Sequence, residues 1–387
     1  MMASPTGFTT RDAGLPEAFR RQMPIAEKWA YFDHAAVSPL PQPTRQAINA
    51  WAEEATCQGD TVWPQWSRQV DDLRQLAARM INADSAELAL VRSTSHGISL
   101  VAEGFPWQAG DNVVTLADEF PTNQYPWMNL SDRGVETRRI PVGDGGVDLD
   151  RLAEACDRRT RIVSLSWVGY ASGWRSDLDQ VTDLVHRRGA LLLVDAIQAL
   201  GVFPLDVRRT SIDFLAADGH KWMLGPEGAG IFYLRREHLD RLRPVGVGWN
   251  SVAHAHDFGH IELVWRPTAE RFEGGSQNMV GMIGLRASLE LLAGFGAPAL
   301  SARVLEITNF ACRQLEQIGG VIKSDRRPEH SSGIVSFDLP GRDLAAVRQQ
   351  CLRHKVVLSH RGGRLRISPH AYNNEEDVAR LIDALKK

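Results

Sequence analysis

The sequence predicts an α/β protein built on a largely parallel sheet, followed by a smaller α+β lobe. Apolar runs of strand length recur at "DNVVTLAD" (111–118), "RIVSLSWV" (161–168), "ALLLVDA" (190–196) and "IDFLAAD" (212–218). Each is apolar nearly throughout rather than alternating, as strands covered on both faces are. Amphipathic stretches such as 176–188 stand between several of them, the pattern of helical crossovers between parallel strands. With 387 residues the chain also exceeds the size at which a single core stops growing, so two lobes are expected.

The run "ELALVR" opens the series. "GAGIFYL" (228–234) follows the 212–218 run too closely for a helical crossover and should return antiparallel or pair at a distance. From about residue 285 a long helical pattern begins. It is followed by "GIVSFDL" (333–339), a helix over 342–354, "KVVLSH", "GRLRIS" and a final helix. No internal repeat or low-complexity tract interrupts the order.

Charge and cysteine content narrow the function classes. The 44 basic and 47 acidic residues are mixed and sum to -3, which leaves no basic face for nucleic acid and no polybasic run for a membrane. Small molecules are the expected partners. Cys57, Cys156, Cys312 and Cys351 lie far apart, without disulfide-framework or zinc spacing, which fits a reducing compartment. With no signal-type apolar core near the N-terminus, the expected location is cytoplasmic.

One lysine stands out. Lys221, in "LAADGHKWMLGPEGAGIFYL", follows a buried-type strand between His220 and Trp222. A lysine here either snorkels into solvent or is a desolvated amine, nucleophilic towards a carbonyl. In open α/β sheets ligands sit beyond the C-terminal strand ends, and the residues after each run should face one cleft. These are Ser93, Thr94 and Ser95, Glu119 and Phe120, Asp195 and Gln198, then His220 and Lys221. Each has a plainer reading: Ser95 as an N-cap, Asp195 as a helix cap, Phe120 as core. Together they suit a phosphorylated, aromatic, carbonyl-bearing cofactor.

These residues resemble the class V aminotransferases, pyridoxal 5'-phosphate (PLP) enzymes of fold type I that include cysteine desulfurases, kynureninases and isopenicillin N epimerase-like proteins. The resemblance runs from "YFDHAAVSPLP" (31–41) to "RISPHAYNNEEDV" (366–378), with "DGHKWMLGPEGAG" its most specific stretch. It implies a large domain (31–284) with a mostly parallel seven-stranded sheet between helices, a small domain (285–387), and a segment 1–30 packed on the small domain.

It also implies roles. Lys221 is the Schiff-base lysine and proton carrier, Asp195 pairs with the pyridinium nitrogen, and Gln198 reaches the ring hydroxyl side. Thr94, Ser95 and the following helix N-terminus hold the phosphate, with His220 as a further donor, and Phe120 stacks on the ring. Ser276, in "RFEGGSQN", reaches the partner's phosphate in a homodimer with shared sites. Arg366 binds the substrate α-carboxylate. "GRLRISPH" alternates so that Arg364, Arg366 and Ser368 share the open face of a strand.

The reaction follows less directly. An aminotransferase is the first expectation, for an amino acid or related amine. An epimerase or a carbon–sulfur or β-lyase without a persulfide is the alternative, and a PLP-binding non-catalytic module is a further one. A desulfurase has a reactive cysteine shortly before the carboxylate-binding arginine, and "VVLSHRGGRLR" has none. Epimerisation needs an acid on the far side of the substrate, for which His34, Tyr125 and Tyr170 are candidates; His34 is grouped with Arg366 on the substrate side. His254, His256 and His260 form H-x-H-x-x-x-H on a loop, but no metal is expected there, and 246–265 reads as a flap over the substrate pocket. "GPEGAG" does not follow the dinucleotide fingerprint.

Overall fold

The structure, a computed structural model, describes residues 14–143 and 146–387. Its central sheet has seven strands: β1 (Leu88–Val91), β2 (Asn112–Leu116), β3 (Glu136–Ile140), β4 (Thr160–Ser166), β5 (Leu191–Asp195), β6 (Phe214–Asp218) and β7 (Gly230–Leu234). They lie in the order β1-β7-β6-β5-β4-β2-β3. All run the same way except β7, which is antiparallel to both its neighbours, β1 and β6. The short β6–β7 connection, with no room for a crossover helix, leaves only this return.

The apolar runs are buried on both faces. Val163, Leu165, Leu192, Val194, Leu215 and Ala217 point into one core, with Leu73 and Ala77 of the helix Trp63–Met80 and Leu285 and Leu289 of the helix Met279–Phe295. Ile162, Leu193, Phe214 and Ala216 point into the other, with Ile98 and Val101 of the helix Thr94–Gly104. That helix sits close on β6: a Cβ at Gly97 would lie 2.7 Å from the Ala216 Cβ. Glycine is required there by contact rather than by φ.

The small lobe has an antiparallel sheet of β8 (Val321–Ile322), β9 (Val335–Asp338), β10 (Ser359–Arg361) and β11 (Arg364–Ile367), in the order β10-β11-β9-β8. Gly362 and Gly363 join β10 to β11 with φ of +56° and +74°. Such a two-residue turn needs left-handed residues at both positions, so the pair of glycines sets the hairpin's register. Leu365 and Ile367 enter the small-lobe core with Phe337, Val356 and Leu381.

Two differences from the sequence reading have physical causes. The edge strand β3 was not anticipated because "ETRRI" is polar; Arg138 there pairs with Glu136 and Asp157 instead of entering a core. The long helical pattern is two helices, Met279–Phe295 and Ala297–Gln317, bent by 83° at Gly296, whose φ is +81°. The first begins before residue 285 and packs on the large-lobe helices Gln42–Cys57 and Trp63–Met80. The direction of the chain changes at Gly296. Among the described residues no single helix is long and apolar enough to cross a membrane.

Of the segment 1–30, residues 1–13 lie outside the described residues. In the remainder, Phe19 stacks on Phe295 at 4.8 Å and meets the edges of His370 and Tyr372, and Arg20 pairs with Asp377 at 2.7 Å.

Candidate active site

A cavity of about 350 Å³ opens at the C-terminal ends of the parallel strands, where the small lobe faces them. Lys221, on the β6–β7 connection, points into it with Nζ 5.6 Å from the centroid of the Phe120 ring. Burial, opposed by Asp195 and helped by Arg366, brings the Lys221 pKa down to about 8. Asp195 ends β5, is 3% exposed, and accepts a hydrogen bond from the Ile197 N–H at 3.0 Å. Burial raises its pKa to about 6, against the pull of Ile197 and Lys221. Amine and carboxylate thus share a pocket in which neither charge is well solvated.

Gln198 also lines the cavity, but its amide is already used. It donates to the Ala35 carbonyl at 3.0 Å and accepts from the Trp222 indole at 2.9 Å, tying the loop 33–38 to the residue after Lys221. Ser38 Oγ completes the brace by donating to the Lys221 carbonyl.

The helix after β1 brings its N-terminus to the same cavity. Its N-cap is Ser93, whose Oγ accepts from the His96 N–H, so the capping reading of Ser95 is replaced. Ser95 Oγ lies 2.7 Å from Thr122 Oγ1 at the exposed wall. Thr94 is buried, and its hydroxyl accepts from the Asp218 N–H at 2.9 Å, clamping the helix start to β6. His220 Nδ1 lies 3.0 Å from Asp218 Oδ2. The first-turn N–H groups of a helix have no intrahelical partner, so this end is suited to an anion.

Arg366 is 2% exposed, which corrects the expectation of an open strand face. Its Nε donates to Ser359 Oγ at 3.0 Å, Nη1 to the Tyr170 carbonyl at 2.6 Å and Nη2 to Asp33 Oδ1 at 3.1 Å. A guanidinium has five N–H donors; three are used, leaving one on each terminal nitrogen, the fork that receives a carboxylate. Arg361 lines the cavity as well.

Two other expected residues lie elsewhere. His34 does not border the cavity. It is fully buried, with Nδ1 2.8 Å from the Ser368 carbonyl and Nε2 3.0 Å from the Tyr372 hydroxyl. Burial pushes its pKa well below the ordinary value, and both ring nitrogens are engaged within the core rather than at the cavity. Ser276 is exposed and lines two surface depressions away from this chain's own Lys221.

The histidine cluster does not gather either. His256 lies against Trp63 and Trp249, and His260 pairs with Glu262 at 3.3 Å. Among the described residues the compact metal-type group is Asp213, Glu237 and His238. Arg235 reaches Asp213 at 3.7 Å and Glu237 at 3.0 Å, which makes it an ion-pair cluster.

Residues that were not singled out also wall the cavity or brace it: Ser166 and Asp218 at strand ends, Thr122, and Asp33 behind Arg366. Asp33 stands in the quoted "YFDHAAVSPLP" stretch, yet nothing in its spacing points to a partner 333 residues away.

A lysine at the end of a parallel sheet, a buried carboxylate on the adjacent strand, a helix N-terminus and a forked arginine from a second lobe define a site for an amino acid beside an anionic aromatic cofactor. The chain belongs to the aminotransferase class-V family, whose pattern it matches over residues 30–381. It is 30% identical over 393 residues to a probable cysteine desulfurase of Methanothermobacter thermautotrophicus, covering 96% of this chain and 97% of that one. It is 32% identical over 391 residues to a cysteine desulfurase of Escherichia coli strain SE11, covering 92% and 93%. A solved complex of the cystine C–S lyase C-DES with its product, cysteine persulfide, superposes with a TM-score of 0.89 at 25% identity, over 94% of this chain and 99% of that one. A C-DES mutant with glycine covalently linked to its PLP has the same score and identity, over 95% and 98%. The relatives' names favour the carbon–sulfur alternative over plain transamination.

Proposed function

We propose that this protein is a PLP-dependent carbon–sulfur lyase that breaks the Cβ–S bond of a cysteine-derived amino acid and releases the sulfur on the leaving group. The carrying observation is that among the described residues no thiol lines the Lys221 cavity. Cys156, Cys312 and Cys351 are buried, and Cys57 is exposed at the end of the helix Gln42–Cys57. A route that parks sulfur on an enzyme cysteine lacks its acceptor.

The residues present fit PLP. The helix N-terminus after Ser93, with His220 lining the same cavity and its Nδ1 held 3.0 Å from Asp218 Oδ2, suits its phosphate. Asp195 suits the ring nitrogen, Phe120 the ring face, and Lys221 the aldehyde. When bound, PLP supplies an electron sink that makes the substrate's α-hydrogen acidic.

The chain's own groups do the rest. The two spare Arg366 N–H donors hold the α-carboxylate and fix which α-bond faces Lys221. With its pKa lowered to about 8, Lys221 Nζ has a substantial neutral fraction at neutral pH and takes the α-proton. The Cβ–S bond then breaks and its electron pair leaves with sulfur. With one water added, the products are pyruvate, ammonia and the released thiol or, from a disulfide substrate, a persulfide.

Arg361 at the same cavity suits a second carboxylate, as a disulfide-linked amino acid carries. With both His34 ring nitrogens engaged away from the cavity, the epimerase reading has one support fewer. The Ser276 segment, exposed on this chain, is suited to the partner's site in a homodimer.

The test is product analysis with PLP and either cystine or cysteine. Pyruvate with released persulfide or sulfide, and no sulfur retained on the protein by intact mass, supports the lyase. Alanine as product points to a desulfurase, and a keto acid with the pyridoxamine form of the cofactor to an aminotransferase; either overturns the proposal.

A further inference from the structure

Glu119 follows β2 and is buried behind the cavity wall, 8% exposed. Its carboxyl grips one residue: Oε1 accepts the Ser166 N–H at 2.6 Å, and Oε2 lies 2.5 Å from Ser166 Oγ. Ser166 ends β4, lines the Lys221 cavity, and is the register partner of Asp195 on β5. The next residue, Trp167, donates its N–H to the Asp195 carbonyl at 2.9 Å. Two buried carboxyls therefore flank the end of β4, one after β2 and one at the end of β5, with Ser166 between them, and among the described residues no basic residue hydrogen-bonds to Glu119.

We propose, on the PLP reading above, that Glu119 is a positioning residue that carries a proton and acts through Ser166, so that of the two carboxyls flanking Ser166 only Asp195 holds negative charge. The charge balance carries this. Asp195 faces Lys221 or a protonated ring nitrogen, whereas Glu119 faces Ser166, Asp118 and Asp195. A second buried anion would be uncompensated, and such groups neutralise instead. Burial, joined by Asp195 and Asp118 and opposed by the hydrogen bonds from Ser166, brings Glu119 up to about 7. The titratable groups facing it are Asp118 on its own loop, Asp195 on β5 with Lys221 beyond, and Tyr170 on the loop after β4.

The proton sets the direction of the serine. A protonated Glu119 donates from Oε2 to Ser166 Oγ, and the Ser166 hydroxyl hydrogen is free to point into the cavity. An ionised Glu119 accepts that hydrogen instead. Ser166 is therefore a donor to the cavity in one state and engaged away from it in the other.

Glutamine reproduces the protonated state, with its carbonyl accepting the Ser166 N–H and its amide donating to Oγ. Glu119→Gln should bind PLP as wild type does near pH 6, by titration of the apo-protein followed through tryptophan fluorescence. By pH 8.5, wild-type affinity should fall about tenfold relative to Glu119→Gln, one pK unit of coupling. Ser166→Ala should abolish this pH-dependent difference between Glu and Gln at 119. Independently of PLP, the infrared difference spectrum of apo wild type minus apo Glu119→Gln near pH 6 should show the carbonyl stretch of a protonated carboxyl that only the wild type carries. A wild-type to Glu119→Gln affinity ratio flat across pH, or loss of PLP binding in a Glu119→Gln variant folded by circular dichroism, overturns the proposal. The infrared band missing from wild type overturns it as well. Failure of the PLP reading is a different result: no Lys221-dependent binding in wild type at any pH.

Discussion

Arg366 and Asp33, one from each end of the chain, meet at 3.1 Å in the cleft between the lobes. The contact is enclosed, with Arg366 2% and the Asp33 side chain 11% exposed. Breaking such a pair leaves an uncompensated charge, costing about 3–5 kcal/mol. Asp33 takes one N–H of Nη2, so one donor stays free on each terminal nitrogen.

Arg366→Ala should therefore lower kcat/KM for an amino acid by at least about a hundredfold, from the loss of a buried charged hydrogen-bonding partner. PLP affinity should hold within a fewfold. Arg366→Lys should not restore the rate, because an ammonium cannot serve Ser359, Tyr170, Asp33 and a carboxylate in one plane. Steady-state kinetics alongside cofactor titration separates the two effects.

Lys221→Ala should abolish the visible absorbance band formed on adding PLP and reduce turnover to background. The rate of the wild-type protein should rise with pH towards about 8, as the Lys221 ammonium loses its proton. A pH–rate profile with no rise between pH 6 and 8 would count against the lysine as the base.

Arg361→Ala should discriminate between substrates. Its loss should raise KM for cystine by about tenfold, the order of one exposed charge-assisted contact, and leave cysteine nearly unchanged. Equal effects on both would remove Arg361 from substrate recognition.

Gly97→Ala should destabilise the protein by about 1–3 kcal/mol, the scale of overpacking. The new methyl would push the helix Thr94–Gly104 off Ala216, moving the anion-binding helix end relative to Lys221. Weaker PLP binding should accompany the lower melting temperature.

The Asp213 cluster should shape stability against pH. His186 at 2.8 Å and His238 at 2.7 Å grip Asp213, and despite burial these bonds and the Leu192 N–H hold its pKa at about 2. A depressed carboxylate contributes stability above its unfolded pKa of about 4 and loses it as pH falls towards 2. His186 is raised chiefly by its bond to Asp213, so its share is full below about 6.5 and is lost as pH rises through its folded value. Asp213→Ala should lower stability by about 1–3 kcal/mol at neutral pH and flatten the acid limb of a melting-temperature profile.

The parts legible in the sequence were those set by local pattern. The apolar runs around β2, β4, β5 and β6 locate the strands to within a few residues, because burial on both faces leaves little room for polar side chains. Strand ends then place Thr94, Ser95, Phe120, Asp195, Gln198 and Lys221 at one cavity. What escaped depends on distant pairing. His34 sits in a suggestive stretch but is claimed by Ser368 and Tyr372 from the far end of the chain. Ser166 reads as one more strand residue until Glu119 is seen to hold it. The β3 strand is too polar at the sheet edge to announce itself.

The distances along the chain between partners also divide the site in time. Thr94 joins Asp218 across 124 residues, and Gln198 joins Trp222 across 24. Arg366 reaches Asp33 across 333, and Ser368 reaches Ala35 just as far. During synthesis from the N-terminus, the half that holds Lys221 and Asp195 can close while the small lobe is still unmade. A nascent chain halted before β11 would carry the amine and its carboxylate but not Arg366, so the contact with Asp33 closes only with the last stretch of the polypeptide.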